Sequence, residues 1–340
     1  MNKVRKTITT GILPLWLAAL GVARCGSVAQ ASEHPPPFDP VGFLIRTNYH
    51  GWTNSLLISN GRVEAIVVPA IGRVMQFRLT GDEDGPFWEN RQLDGKTPDP
   101  DSTEWGNFGG DKSWPAPQTD WDKVTPRAWP PPVAFDSMPV EARVDGFVVT
   151  LVSAVDPHYG IRAYRRIELD LDRPVMTVTT TYEKVSGQPL KVAVWVITQL
   201  KDPAVACASL PEFERIREGY YRQSDELPVN LRVDNGLLSL TRDPKAAHKI
   251  GTDATGLIWV GEATVLKIDA PYRILGDYPD NGCSAEIYTN PDPLAYVELE
   301  MLGTLRKMIV GDKVRHSSTY TLLRRTEVDP ELEVRKLISR

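Results

Sequence analysis

Short runs in which apolar and polar residues alternate recur along the chain. Successive side chains of a β-strand point to opposite faces, so a period of two is typical of strands with one buried face. Asn60-Gly61 separates two such runs, 55–59 and 63–68, and predicts a tight hairpin. Further predicted strands are 74–79, 140–144, 147–155, 161–171, 175–183, 190–200, 229–233, 237–241, 256–261, 264–268, 284–289, 294–301 and 316–324.

Helical periodicity is scarce. Residues 211–219 allow at most one short helix, whereas Asp329-Pro330 before an amphipathic run to residue 338 predicts a capped C-terminal helix. Many short strands without intervening helices indicate stacked antiparallel sheets rather than alternating strands and helices. We therefore predict an all-β fold, a large antiparallel β-sandwich with few short helices.

The first 31 residues have the pattern of a secretory signal peptide. Lys3, Arg5 and Lys6 precede an apolar run over 8–23, and Ala29-Gln-Ala31 offers a cleavage site before Ser32. Cys25 raises a lipoprotein alternative, which Arg24 disfavours because such sites take a small residue there. We expect a periplasmic or extracellular protein with a Pro-rich leader over 32–41, one domain over 42–325, and a short helical tail over 326–340.

The charge of the chain limits the classes of partner, and its cysteines limit the possible disulfides. Removal of residues 1–31 deletes four basic residues and changes the formal net charge from −5 to −9. An acidic exported protein is poorly suited to nucleic acid, and no further stretch has the length and apolarity of a membrane span. Cys207 and Cys283 are the two cysteines of the mature chain, and they form either one disulfide or two buried thiols. The oligomeric state is left open.

The most informative segment is Asn107-Phe-Gly-Gly-Asp-Lys-Ser-Trp-Pro-Ala-Pro-Gln118, a Gly-Gly turn among many tryptophans. Five of the nine tryptophans fall between residues 88 and 129. A sugar has an apolar ring face and a polar rim, so indole rings mixed with amides and an ammonium suit a carbohydrate. The alternative is a Trp-rich loop that closes one end of the core. The substrate-binding candidates of this segment are Asn107, Lys112, Trp114 and Gln118.

Two carboxylates mark a second candidate element. Alternation along Tyr296-Val-Glu-Leu-Glu-Met301 places Glu298 and Glu300 on one face of a strand, close enough to perturb each other's pKa. The alternative is a solvated face. The spacing of His, Cys, Asp and Glu in the sequence fits no metal site, and we expect no cofactor.

Arginines supply the basic candidates. Arg165 shares a strand face with Ile161 and Ile167, and a buried arginine requires a carboxylate partner. Alternatively, Arg162 and Arg166 on the opposite face line a groove. Arg73, after the turn at Ile71-Gly72, is a further candidate for recognising an acidic sugar.

Three segments together resemble the galactose mutarotase-like (aldose 1-epimerase) superfamily, and more narrowly its DUF4380 branch. They are 59–79 with its Ile71-Gly72 turn, the 107–118 motif with Glu89-Asn90 before it, and the closing turn and strand over 311–320. Within the second, Trp114-Pro-Ala-Pro-Gln118 is the most specific stretch. The resemblance spans about 42–325. It implies a large twisted β-sandwich whose concave face carries a carbohydrate groove.

The resemblance also implies a carboxylate base and a histidine acid, since opening a hemiacetal requires both. By position Glu300 corresponds to the base, with Glu298 as its neighbour. The strand that matches the family's histidine position, 190–199, carries Trp195 and Gln199 and no histidine. His158, in a turn, is the nearest acid candidate, and Trp195 is a binding candidate.

We therefore expect a carbohydrate-binding protein, with epimerase-like activity or without catalysis. A polysaccharide lyase or hydrolase is the third and least supported alternative.

Overall fold

The computed structural model describes residues 42–99, 101–211 and 215–338. The strands are β1 (Phe43–Tyr49), β2 (Trp52–Ser59), β3 (Val63–Val68), β4 (Arg73–Leu79), β5 (Asp111–Ala116), β6 (Glu141–Asp145), β7 (Val148–Val155), β8 (Ile161–Leu169), β9 (Val175–Lys184), β10 (Leu190–Lys201), β11 (Val205–Ser209), β12 (Tyr221–Arg222), β13 (Arg232–Asp234), β14 (Leu237–Leu240), β15 (His248–Thr252), β16 (Gly256–Val260), β17 (Thr264–Asp269), β18 (Ala285–Thr289), β19 (Tyr296–Leu302), β20 (Arg306–Met308) and β21 (Lys313–Arg324). The helices are α1 (Trp121–Val124), α2 (Val133–Asp136), α3 (Pro279–Gly282) and α4 (Pro330–Ile338).

The strands form two antiparallel sheets. The first has eleven strands in the order β1-β2-β3-β4-β5-β10-β19-β18-β15-β12, with β20 paired to the start of β10. The second has ten strands in the order β13-β14-β11-β16-β17-β21-β9-β8-β7-β6. The predicted all-β antiparallel sandwich with few short helices is confirmed.

Alternating side chains build the core between the sheets. In β19, Val297, Leu299 and Met301 contribute to one buried cluster with residues of the second sheet such as Ile167 and Leu266. The intervening residues of β19 therefore face the opposite side of the first sheet. That side carries the candidate site.

Most strand predictions agree with the structure to within a few residues, as does the C-terminal helix α4. This helix does not stand apart from the domain, because Val334 is buried in a cluster with Cys207, Ile258 and Val260. Several strands were not predicted. Among them, Asp111 to Ala116 of the 107–118 motif form the buried strand β5, and His248 to Thr252 form β15.

Proline is tolerated in β5 because of its neighbours. β4 pairs with β5 only between Val74 and Asp111, so beyond that point β5 has a ladder with β10 alone. The Gly-Gly pair before it is sterically required. Gly109 and Gly110 have φ of 91° and 70°, and a Cβ on them would lie 2.3 Å and 2.6 Å from the backbone oxygens of Trp88 and Val74.

One buried carboxylate links the two sheets. Asp111 of β5 accepts hydrogen bonds from Arg165 of β8, from the Thr198 hydroxyl at 2.8 Å and from the Tyr320 hydroxyl at 2.6 Å. All four side chains are almost completely buried. The predicted carboxylate partner of Arg165 is therefore Asp111.

Cys207 and Cys283 are both buried free thiols, which decides between the two alternatives. Burial raises the pKa of the Cys207 thiol to about 12. No helix among the described residues is long and apolar enough to cross a membrane. The predicted signal peptide and leader lie outside the described residues.

Arg165→Met should lower the free energy of unfolding by about 3–5 kcal/mol, because it leaves Asp111 buried without its cation. Arg166→Met, one position along on the exposed face, should change it by less than about 1 kcal/mol. Urea denaturation of both variants measures the difference. Equal effects of the two substitutions would contradict the bridging role of Arg165.

Candidate functional site

Five neighbouring strands, β5, β10, β19, β18 and β15, present polar and aromatic side chains on the face of the first sheet away from the core. The register sets their neighbours: Trp195 lies opposite Trp114, Gln199 opposite Glu298, and Glu300 opposite Glu286. Glu298 and Glu300 share this face, as their alternation predicted. We call this surface the polar face.

A lysine between two glutamates is the centre of the polar face. Lys249 Nζ lies 2.8 Å from Glu286 Oε2 and 2.9 Å from Glu300 Oε2, and both carboxylates are buried. Trp195 donates its indole N–H to Glu300 at 2.7 Å, and the Lys249 ammonium lies 4.5 Å from the Trp195 ring centroid. Gln223 donates to the other oxygen of Glu286 at 2.6 Å. These contacts fix the Trp195 ring and the lysine together.

The charges of this cluster are unequal, with two carboxylates for one ammonium. Burial opposes charge on Lys249, but Glu286 and Glu300 outweigh it and raise the lysine pKa. Burial, together with the charges of Glu286 and Glu298, raises the pKa of Glu300 well above its usual range despite Lys249. The Oε1 atom of Glu300 is buried and has no hydrogen-bond partner among the described residues. Glu300 therefore takes up a proton more readily than an ordinary glutamate.

Lys112 is enclosed next to this cluster. Its Nζ lies 3.5 Å from Glu298 and 4.9 Å from the Trp114 ring centroid, and its side chain is fully buried. Burial lowers the lysine pKa. The rings of Trp105, Trp114, Trp121 and Trp129 pack edge-on or stacked over this region. Lys112 and the Trp114 ring are buried within this group of four rings, which we call the tryptophan plug, and their role in substrate binding stays a prediction.

Asp136 of α2 organises the plug. It accepts hydrogen bonds from Arg73 at 2.8 Å, from the Trp114 indole at 2.9 Å and from the Trp105 indole at 3.1 Å. Arg73 also donates to the Gly109 carbonyl at 2.7 Å and is fully buried. Arg73 thus stabilises the Gly-Gly turn from a buried position, and its role in binding an acidic sugar stays a prediction.

A cavity of about 560 Å³ opens at one side of the polar face. Trp195 and Tyr221 give it aromatic walls, and Gln118 and Gln223 give it amide groups. Its charged and remaining polar lining comprises Lys249, Asp280, Arg222, Asn281 and Thr119. Trp195 and Gln118, both predicted as binding residues, thus line one space. We call this space the Trp195 cavity.

Asp280 is the acidic group of the Trp195 cavity. Burial and the charges of Glu286 and Asp120 raise its carboxyl pKa to about 6, against the opposing charge of Lys249. Its backbone lies in the left-handed region, with φ of 50°. A carboxyl with this pKa exchanges its proton near neutral pH. The neighbouring Lys249, whose pKa is raised, stays protonated at that pH.

Four other predicted residues lie elsewhere. Arg162 and Arg166 are on the solvent side of the second sheet, where Arg166 pairs with Glu168 at 2.7 Å. His158 lines a separate cavity of about 330 Å³ beside Arg127. Asn107 lines another, of about 360 Å³, with its side-chain oxygen unpartnered among the described residues. Arg162, Arg166 and His158 do not lie beside Glu300, because β8 belongs to the other sheet and the turn of His158 follows β7. The binding or catalytic roles of all four residues stay predictions.

Lys249, Glu286, Tyr221 and Asp280 are site residues that sequence reasoning missed. Glu286 lies in a predicted strand. Because side chains alternate along a strand, Glu286 could have been placed on the face opposite to that of the apolar Ile287, and so outside the core. Within the described residues, no group of three or more His, Cys, Asp or Glu side chains is arranged to hold a metal ion.

No protein-family model and no curated protein sequence matches the chain. Among solved structures it is similar to a galactose mutarotase-like protein from Lactobacillus casei ATCC 334, with a TM-score of 0.53 and 10% identity over 79% of this chain and 100% of the other. It is also similar to a protein described as an aldose 1-epimerase from Escherichia coli K12, with a TM-score of 0.51 and 10% identity over 83% of this chain and 100% of the other. A third similar structure is a TPR-domain containing protein from Parabacteroides distasonis ATCC 8503, with a TM-score of 0.52 and 13% identity over 81% of this chain and 48% of the other. The chain has the galactose mutarotase-like fold.

The raised pKa of Asp280 predicts a pH-dependent contribution to stability. A carboxyl with a pKa of about 6 when folded and 3.8 as its ordinary value binds more protons in the folded state. The contribution of its protonated form is complete below pH 4 and is lost as pH rises through 6. Wild type should lose about 2–3 kcal/mol relative to Asp280→Asn over this window. Chemical denaturation of both proteins across this pH range measures the difference. If the free energies of unfolding of wild type and Asp280→Asn change in parallel with pH, the raised pKa of Asp280 is contradicted.

Proposed function

We propose that this protein binds carbohydrate in the Trp195 cavity. The observation that carries the proposal is the lining, in which two aromatic side chains and several amide and charged groups converge on one space of about 560 Å³. Such a volume accommodates a small ligand, and aromatic rings with a few placed polar groups match the apolar face and hydroxyl rim of a sugar. The mutarotase-like fold of the chain supports the same ligand class.

The cluster around Lys249 supports binding by rigidity. Trp195 is held by its hydrogen bond to Glu300 and by the lysine over its ring, so a ligand meets a wall that is already ordered. Preorganised side chains reduce the conformational entropy lost on binding. Glu300 is then a positioning residue for Trp195 and Lys249.

A second candidate is epimerase-like proton transfer, with Glu300 as general base as the family resemblance implies. The observation in its favour is the unpartnered Oε1 of Glu300 together with the raised pKa of that carboxyl. Asp280, which lines the Trp195 cavity, is the second group whose pKa suits proton exchange. We also propose that the chain belongs to the DUF4380 branch, on the motif of 107–118.

Tyr221→Ala should weaken glycan binding about tenfold, because the aromatic ring supplies contact area to the sugar face. Tyr221 is 44% exposed, so its removal leaves the core intact. Phe147→Ala, an exposed ring in the turn before β7, is the matched control and should bind as wild type does. A glycan array identifies the ligand, and calorimetry measures the affinities. The proposal fails if no glycan binds or if both variants lose affinity equally.

Two-dimensional exchange NMR of anomeric protons separates binding from turnover. If Glu300 is a general base, wild type accelerates anomer exchange of the bound sugar, and Glu300→Gln slows it by about a hundredfold or more. Glu298→Gln, its neighbour on the same strand face, should retain most of the rate. Exchange at the buffer rate with wild type, across sugars that bind, would reject the catalytic candidate and leave binding as the function.

A further inference from the structure

A second large cavity, of about 530 Å³, lies beside β20, the first residues of β21 and the loop that precedes α3. It is separate from the Trp195 cavity, since the two share no lining residue. Its charged lining comprises five cations and one carboxylate: Arg273, Arg306, Lys307, Lys313, Arg315 and Asp312. This excess of cations contrasts with the formal net charge of −5 of the whole chain.

Most of this positive charge is not neutralised by the protein. Arg273, Arg306, Lys307 and Arg315 form no ion pair within the part of the chain that the structure describes. Lys313 pairs with Glu183 at 3.2 Å. The Asp312 carboxylate accepts a hydrogen bond from the Ile309 backbone N–H at 2.9 Å, which stabilises the turn between β20 and β21. The cavity is therefore an open, electropositive site.

A buried histidine also lines this cavity. His316 is 7% exposed, and its Nε2 atom has no hydrogen-bond partner among the described residues. Burial lowers the imidazole pKa to about 4, so the ring is neutral at physiological pH. A neutral ring with its proton on Nε2 donates to an anionic oxygen. An unpartnered buried donor is costly, and a ligand oxygen in the cavity would satisfy it.

We propose that this cavity, which we call the basic cavity, binds a phosphate group. Arginine side chains present planar donor pairs that match the oxygens of a phosphate, and lysine adds a point charge. The exposed arginines would hold the outer oxygens, and His316 would donate to an inner one. Two sources supply this chemistry: a phosphorylated small molecule, and the headgroup of an anionic lipid. Exposed Ile274 and Leu275, directly after Arg273, suit the second source.

Calorimetry with pyrophosphate and with glucose 6-phosphate tests the solution source, and glucose is the neutral control. The double variant Arg306→Ala/Arg315→Ala should weaken binding at least tenfold, because each charge-assisted hydrogen bond is strong. Arg143→Ala/Arg166→Ala removes two exposed arginines from the second sheet and should bind as wild type does. In ¹⁵N spectra of the histidine side chains, the Nε2 resonance of His316 should shift on saturation.

Flotation with phosphatidylglycerol vesicles tests the lipid source, with phosphatidylcholine vesicles as control. If the phosphate belongs to a lipid, binding requires phosphatidylglycerol and is lost in both Arg306→Ala/Arg315→Ala and Ile274→Ser/Leu275→Ser. If it belongs to a soluble molecule, the calorimetric result above is obtained without vesicle binding. Absence of binding to every phosphate probe overturns the proposal, as does equal loss in the Arg143/Arg166 control.

Discussion

The structure depends on the buried hydrogen bonds of Asp111. This carboxylate joins β5 of the first sheet to Arg165 and Tyr320 of the second, and so fixes how the two sheets face each other. Because side chains alternate along a strand, the next residue, Lys112, faces the opposite way. The constraint that holds the sandwich together therefore also sets the position of the polar face.

The polar face uses its charges for order rather than for contact with solvent. Lys112 and Arg73 each pair with a buried carboxylate, and the rings of Trp105 and Trp114 lie against the Lys112 ammonium. Only part of the polar face lines the Trp195 cavity, namely the Trp195 ring and Lys249, together with Asp280 and Asn281 of α3. The tryptophan-rich motif that dominates the sequence thus mainly covers this part of the sheet, and the proposed binding cavity lies at its edge.

Sequence reasoning predicted the sandwich and the shared face of Glu298 and Glu300, because both follow from the period of two within single strands. It did not predict β5, because the two glycines and two prolines of this motif are typical of a turn. The strand forms through its pairing with β10, which is distant in the sequence. Lys249 was missed for a related reason, since its strand is short and polar and its partners Glu286 and Glu300 come from other strands. Pairing across a sheet is long-range information that local patterns do not contain.

The most direct test of the account is the indole N–H spectrum of protein carrying ¹⁵N-labelled tryptophan, titrated with a glycan. The chain has nine tryptophans, and Trp195→Phe assigns the relevant signal. We predict a saturable shift of the Trp195 resonance, while the signal of Trp259, in the second sheet, stays in place. A glycan that binds without moving the Trp195 signal, or failure of every glycan to bind, would contradict carbohydrate recognition in the Trp195 cavity.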